Sequence, residues 1–371
     1  LTGIPPFLRE ALDPEVAKRR LGNGQFKLLC EESIMPAAHI PAVLKAMRTG
    51  EPYPVKAFLV FGNNTLATYA NSKVVYESLM AVDFLMYADL FMQPSAELAD
   101  IVLPVAAWPE FEGVHAAPFI SAYVIGPIQR AVRVGECKSD EEIFMEICRR
   151  LNLKYGQDEV VAVLEEELAG GTHGVNFEQL KQSGSILLDL EYRKHEKHGF
   201  RTPSGKVELY STRLEQMGYP PLPVYEEPPE SPYSRPDLAK QYPLVLTTGH
   251  RSPVYFHSEG RQIHRLRKAH REPRADIHPD TAAKYGIRDG EWMWIENSRG
   301  KVRQRARFAP NIDPRVIAAE HGWWYPENKD PDHGIWESNI NVLTNNQPPY
   351  DPAMGTYQLR GLLCRVRPIQ D

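Results

Sequence analysis

Tyr242–Gly260 reads YPLVLTTGHRSPVYFHSEG, and the reading of these nineteen residues decides the fold. Leu244, Val245 and Leu246 form an apolar run that the β-branched Thr247 and Thr248 continue, which predicts a strand ending near Gly249. Gly249 permits a tight turn or a close approach of the backbone to a ligand. His250, Arg251 and Ser252 follow, then Val254, Tyr255 and Phe256, which favour a return strand, then His257 and Ser258. Hydrogen-bonding groups at both ends of so short an excursion suit an anion with several oxygens, as one half of a dinucleotide grip. The ordinary alternative is that His250 and His257 are loop histidines and Arg251 a surface charge.

Toward the C-terminus, residues 261–274 carry Arg261, Arg265, Arg267, Lys268, Arg271 and Arg274, a run that either lines an anionic ligand or forms a solvated face. A helix ending at Tyr285-Gly286 follows. Asp289-Gly290 and Ser298-Arg299-Gly300 are turn signals around strands at 291–297 and 301–308, so this third of the chain is read as a β-rich barrel. Asn339 and Asn341 carry paired donors and acceptors that could read a heteroaromatic edge, although asparagine is also a common turn residue.

Toward the N-terminus, the proline-rich segment 220–236 reads as an extended tether and the clearest boundary in the chain. Before it, Pro203-Ser204-Gly205 predicts a turn leading into an alternating strand over 206–210. Residues 140–151 form an amphipathic helix with Asp140 at its start and Arg149-Arg150 near its end, as the helix dipole prefers. Val55–Phe61 is a nearly all-apolar run leading into Gly62-Asn63-Asn64, the pattern of a buried parallel strand and its turn. A helix over 71–80 and a strand over 81–87 complete a βαβ unit. Ala88 and Asp89 stand past that second strand, where a carboxylate either accepts from ribose or guanine donors or acts as a turn residue. Ser95 reads as an N-cap, and Glu110 with Glu112 as structural salt-bridging carboxylates.

The 371 residues suffice for two or three domains with real cores. A net charge of −5 argues against a general nucleic-acid or membrane-surface binder. Cys30, Cys137, Cys148 and Cys364 are scattered without a CxxC pair, so neither a zinc site nor a cysteine-ligated cluster is read here. No apolar run has membrane-spanning length, and the start, LTGIPPFLREALDPE, lacks the features of a signal peptide. It also lacks an initiator methionine, which leads to the expectation that the numbering begins inside a longer polypeptide. Localisation stays open between cytoplasm and periplasm.

The stretches VKAFLVFGNN, YADLFMQPSAELADIVLPVAAWPEFEG, CKSDEEIFMEICRRL, TPSGKVELYS, LTTGHRSPVYFHSE, IHPDTAAKYGIRDGEWMWIENSRGKV, ESNINVLT and DPAMGTYQLRGLLCRV together resemble the C-terminal half of the molybdopterin oxidoreductases of the dimethyl sulfoxide reductase family, in that family's order. The resemblance implies an α/β Rossmann-like domain over 1–170, a connecting segment over 171–236 and a double-psi-type β-barrel over 237–371. It implies a bis-molybdopterin guanine dinucleotide cofactor carrying molybdenum or tungsten. The cofactor-binding positions would be Gly62, Asn63, Asn64, Ala88, Asp89 and Asp140, with Thr248, Gly249, His250, Arg251, His257, Ser258, Asn341 and Arg360. No residue of the chain matches the family's metal ligand, and no catalytic residue is assigned. The resemblance places that ligand, and a [4Fe-4S] cluster, on an N-terminal region outside this sequence. The expected partners are therefore that N-terminal half, an iron–sulfur electron-transfer subunit and a small-molecule substrate. Two alternatives remain: a cofactor-binding half-protein without catalysis, and a non-redox hydratase or transhydroxylase of the same family.

Overall fold

The computed structural model describes residues 13–33, 36–117, 121–153, 160–169, 175–187, 191–200 and 202–369. Strands β1 (Ala57–Phe61), β2 (Phe84–Asp89) and β3 (Ile101–Pro104) form a sheet in that order, with β1 and β2 parallel from Ala57↔Phe84 to Phe61↔Ala88. A parallel pair needs a crossover, and the helix Ser72–Leu79 supplies it. Asn71, at φ 60°, starts that helix by accepting from the Val74 N–H. Val60, Leu85 and Tyr87 meet Leu66, Val75 and Leu79, and Leu44 and Met47 join them from the helix Ile40–Thr49. The expected βαβ unit is present, and β2 runs on to include Ala88 and Asp89.

Strands β4 (Gly113–Ala117), β5 (Ser121–Ile128) and β6 (Ile186–Leu187) form an antiparallel sheet. Ile125 packs there with Leu164 and Leu168 of the helix Val160–Ala169 and with Phe177 and Leu180 of the helix Phe177–Ser183. The helix Asp140–Arg150 starts where expected, on a reciprocal cap between Ser139 and Glu142. Glu110 forms no salt bridge among the described residues. It accepts instead from the N–H groups of Ala107 and Val134, at 2.8 and 3.1 Å, and fixes a loop.

Strands β7 (Leu244–His250), β8 (Arg274–Ile277), β9 (Trp292–Asn297), β10 (Gly300–Phe308), β11 (Val316–Glu320) and β12 (Leu362–Pro368) close into a barrel in the order β10-β8-β11-β7-β12-β9. Alternation sends Leu244 and Leu246, Val302 and Ala306, and Leu362 and Cys364 into the interior with Ile277, Met293, Ile295 and Ile317. Gln304 also faces inward. Its amide is satisfied by the backbone of Glu320, donating to the carbonyl at 2.9 Å and accepting from the N–H at 3.1 Å.

Two expected strands are absent. Residues 254–256 are loop, because Tyr255 is drawn into an aromatic cluster with Trp323 and Tyr325 and its hydroxyl bonds the His270 carbonyl. Residues 206–210 are also irregular, with Val207 and Leu209 largely exposed and so without a surface to pair on.

Contacts divide the chain into two compact units that alternate along it. One takes 21–30, 38–102 and 225–371, and so holds β1, β2 and the whole barrel. The other takes 31–37 and 103–224 with the described part of 1–20. A division at 170 and 236 follows chain order, as these units do not. The later part of the proline-rich segment belongs with the barrel. Glu230 pairs there with Arg299 through two bonds of 2.8 and 3.0 Å, accepts from the Leu363 N–H at 2.8 Å, and exchanges backbone bonds with the Gln358 amide.

Candidate functional site

Within the larger unit, the candidate residues gather where parallel strands end. At the carboxyl ends of β1 and β2, Gly62 donates its N–H to the Ala88 carbonyl at 2.9 Å. It takes a positive φ of 57°, with open space where a side chain would stand. Gln93 bridges the two strand ends, its amide reaching the Asn63 carbonyl at 3.3 Å and Asp89 Oδ2 at 3.5 Å. Asp89 has no cationic partner among the described residues. Burial, as the largest influence, pushes its carboxyl above the ordinary range, against backbone N–H groups of Phe91 and Leu90 that pull it down. Asn64 is buried. Its Oδ1 accepts from Ser95 at 2.9 Å, and its Nδ2 has no partner among the described residues. Ser95 is therefore not a side-chain N-cap. It accepts from the Leu66 N–H and holds Asn64.

On the barrel, β7 and β11 run parallel, so His250 and His321 emerge at the same rim. The register slips between Ala318↔Thr247 and Glu320↔His250, which places one extra residue on β7 at Thr248-Gly249. Thr248 is tied by its hydroxyl to the Leu359 carbonyl at 2.8 Å. Gly249 lies under Arg360: a Cβ there would stand 2.9 Å from Nε and Nη2 of the guanidinium. His250 Nε2 accepts from Arg307 at 2.9 Å, while Arg307 also grips Asp276. Arg251 and Arg360 are exposed, and no acceptor holds either of them among the described residues.

His257 takes a left-handed φ of 50°. Its Nδ1 lies 2.9 Å from Nε2 of His321, whose Nδ1 lies 3.1 Å from the His250 carbonyl. Its own carbonyl accepts from Arg261, and the Ser258 carbonyl accepts from the indole of Trp324 at 2.9 Å. Trp324 is embedded in the core beneath β1 and β2. One side chain thus links the 257–258 turn to the α/β layer.

Asn341 is committed elsewhere. Its amide and that of Asn339 both donate to the Ala67 carbonyl, at 3.0 and 2.9 Å, and Asn341 Oδ1 accepts from Thr344. Each side-chain nitrogen thereby spends one of its two N–H groups on a backbone carbonyl. The basic run 261–274 also divides. Arg261 is buried between the faces of Tyr255 and Trp323, where desolvation lowers its pKa to about 10, while Arg267 pairs with Glu327. Asp140 belongs to the other compact unit, exposed at the first turn of its helix.

Sequence reasoning left Gln93, Arg307, Asp276 and His321 unassigned. Arg307 and Asp276 touch a candidate residue, His250, only through distant pairings, whereas Gln93 reaches Asp89 from four residues away. His321 directly follows β11, and a histidine at the carboxyl end of a parallel strand is a signal that could have found it.

Arginines without an acceptor at the barrel rim and a half-buried carboxylate at the end of β2 suit the anionic and hydrogen-bonding groups of a dinucleotide. Residues 32–150 match the model of the molybdopterin oxidoreductases, and residues 244–363 match that of the molydopterin dinucleotide binding domain. The chain is 32% identical to a dopamine dehydroxylase of Eggerthella lenta over 99% of this chain and 43% of that protein. It is 34% identical to an acetylene hydratase of Syntrophotalea acetylenica over 87% of this chain and 45% of that protein. The solved structure of acetylene hydratase from Pelobacter acetylenicus superposes with a TM-score of 0.86 at 31% identity, covering 97% of this chain and 53% of that one. The chain therefore belongs to the molybdopterin oxidoreductases of the dimethyl sulfoxide reductase family. It spans less than half the length of the curated relatives named here.

Proposed function

We propose that this chain is the C-terminal, cofactor-holding portion of a molybdenum- or tungsten-dependent oxidoreductase whose cofactor is bis-molybdopterin guanine dinucleotide. The observation that carries the reading is the convergence, within one compact unit, of candidate residues at the carboxyl ends of two parallel strand pairs. The residues present fit such a group. Among the described residues Arg251 and Arg360 are cations without an acceptor, Asn64 Nδ2 is a buried donor without one, and Asp89 is a half-buried carboxyl with no cation beside it.

In this reading Arg251 and Arg360 offset pyrophosphate charge, and the Thr248-Gly249 bulge brings the backbone close to it. Asp89 accepts from guanine or ribose donors, Gly62 leaves room for the nucleotide to approach, and Asn63 and Ala88 line that approach. His250, His257 and Ser258 border the barrel side. Asn341 would contribute through the packing it enforces. When bound, the cofactor supplies a metal centre capable of two-electron chemistry.

The α/β layer is then a Rossmann-like half and the barrel a double-psi type, with 1–170, 171–236 and 237–371 as the sequence domains. The metal ligand, a [4Fe-4S] cluster and the docking of an iron–sulfur subunit belong to polypeptide beyond the portion matched in the relatives, so this chain alone is catalytically incomplete. The alternative of a cofactor carrier without catalysis predicts no acceptor reduction even when that polypeptide is supplied.

The test is pterin content after purification of the enzyme co-expressed with its upstream polypeptide. Asp89→Ala and Arg251→Ala should each weaken cofactor retention by about tenfold, the scale of a lost charge-assisted hydrogen bond. Unchanged pterin in either variant would contradict the assignment. The likeness to acetylene hydratase favours a second reading, addition of water without net electron transfer. Turnover without any electron acceptor would decide for it.

A further inference from the structure

The polarity of the imidazole pair at the barrel rim is set from one end. The His250 carbonyl can only accept, so His321 Nδ1, 3.1 Å away, carries a proton and donates. His321 is kept neutral, because burial first, then the neighbouring His257, Arg251 and Arg261, hold its pKa below the ordinary value against the carbonyl bond that raises it. Its Nε2 is then a lone pair, and His257 Nδ1, 2.9 Å away, must be the donor to it. A neutral ring that donates from Nδ1 has its other lone pair on Nε2, and that atom has no partner among the described residues. A free histidine side chain prefers the opposite tautomer.

The ladder is also rigid. His257 is held at its left-handed φ by Arg261, which donates to its carbonyl at 2.8 Å. Gly322 closes in from below, where a Cβ would stand 3.1 Å from the Ser258 nitrogen and 3.3 Å from the carbonyl carbon of His257. The charged groups that face the pair are Arg251 and Arg261, and the third imidazole, His250, is occupied by Arg307.

We propose that His321 is a positioning residue: through this two-imidazole relay it holds His257 as the Nδ1–H tautomer and leaves Nε2 to accept a ring N–H or ribose O–H of the bound dinucleotide. The ligand half of the proposal rests on the cofactor reading above, and the tautomer half does not.

The chain labelled with ¹⁵N-histidine tests the relay directly. Long-range proton–nitrogen spectra near neutral pH should show His257 with a protonated Nδ1 and an unprotonated Nε2. His321→Phe should shift His257 toward the Nε2–H tautomer. His321→Gln should keep the native pattern, because its amide can accept from His257 and donate to the carbonyl. A wild-type His257 protonated at Nε2 overturns the relay, and if His321→Phe fails to fold, the wild-type and His321→Gln spectra still decide. In the co-expressed enzyme, pterin retention should fall roughly fivefold in His321→Phe, the scale of one lost hydrogen bond, and stay near wild type in His321→Gln. Equal losses in both variants, or none in His321→Phe, overturn the ligand half. Wild-type enzyme without pterin would instead defeat the cofactor reading, and the spectra would then rule on the tautomer alone.

Discussion

Gly249 shows how a residue's role depends on what lies over it. Its lack of a side chain reads as a site of close approach, and what approaches in the structure is the Arg360 guanidinium. Gly249→Ala would put a methyl group where that guanidinium rests, and the flexible arginine would move aside. Stability should change by less than about 1 kcal/mol, while pterin retention falls because Arg360 no longer points along the rim. Melting temperature and pterin content, measured together, check this, and a normal pterin content would remove Arg360 from the grip. The asparagines mark where reading by residue type stops. Asn339 and Asn341 have the donors and acceptors to read a base edge, but both amides serve a carbonyl more than 270 positions away, at Ala67. Sequence displays capacity for hydrogen bonding, and only the fold allots the partner.

At the level of elements, strands were legible where alternation or an apolar run repeated over several residues, as in β1, β9 and β10. Short β-favouring triplets were not. Val254-Tyr255-Phe256 has the composition of a strand, yet Tyr255 gains more from Trp323 and the His270 carbonyl than from a ladder. The proline-rich segment was legible as extended and illegible as anchored. Its anchor is Glu230, which is largely buried and serves Arg299 and the Leu363 N–H together. Glu230→Ala would leave that arginine and that N–H without an acceptor, and should cost about 2–3 kcal/mol. A urea titration would show it as a lower midpoint at unchanged slope. An unshifted midpoint would mean that the segment is held by its backbone alone.

For the whole molecule, the compact unit containing the barrel also contains β1 and β2, so a boundary at 236 falls inside one compact unit. Trp324 and Ile335 are buried in the α/β layer although they lie in the C-terminal third. A fragment of 237–371 should therefore fold poorly, with broad thermal melting and exposed tryptophans, and co-expression with 1–236 should restore a cooperative transition. Sharp two-state melting of the fragment by itself would refute this. The order of the motifs was legible in the chain. The shared core was not, because no local pattern announces which distant apolar side chains will meet.

The closed barrel has one more consequence. Each of its six strands is hydrogen-bonded to two neighbours, β10 and β12 changing partner partway along, so none of the six is free along one whole side for another copy to extend. Among the described residues the open margins lie on the two three-stranded sheets, where edge-to-edge aggregation of the native chain would find unpaired backbone groups.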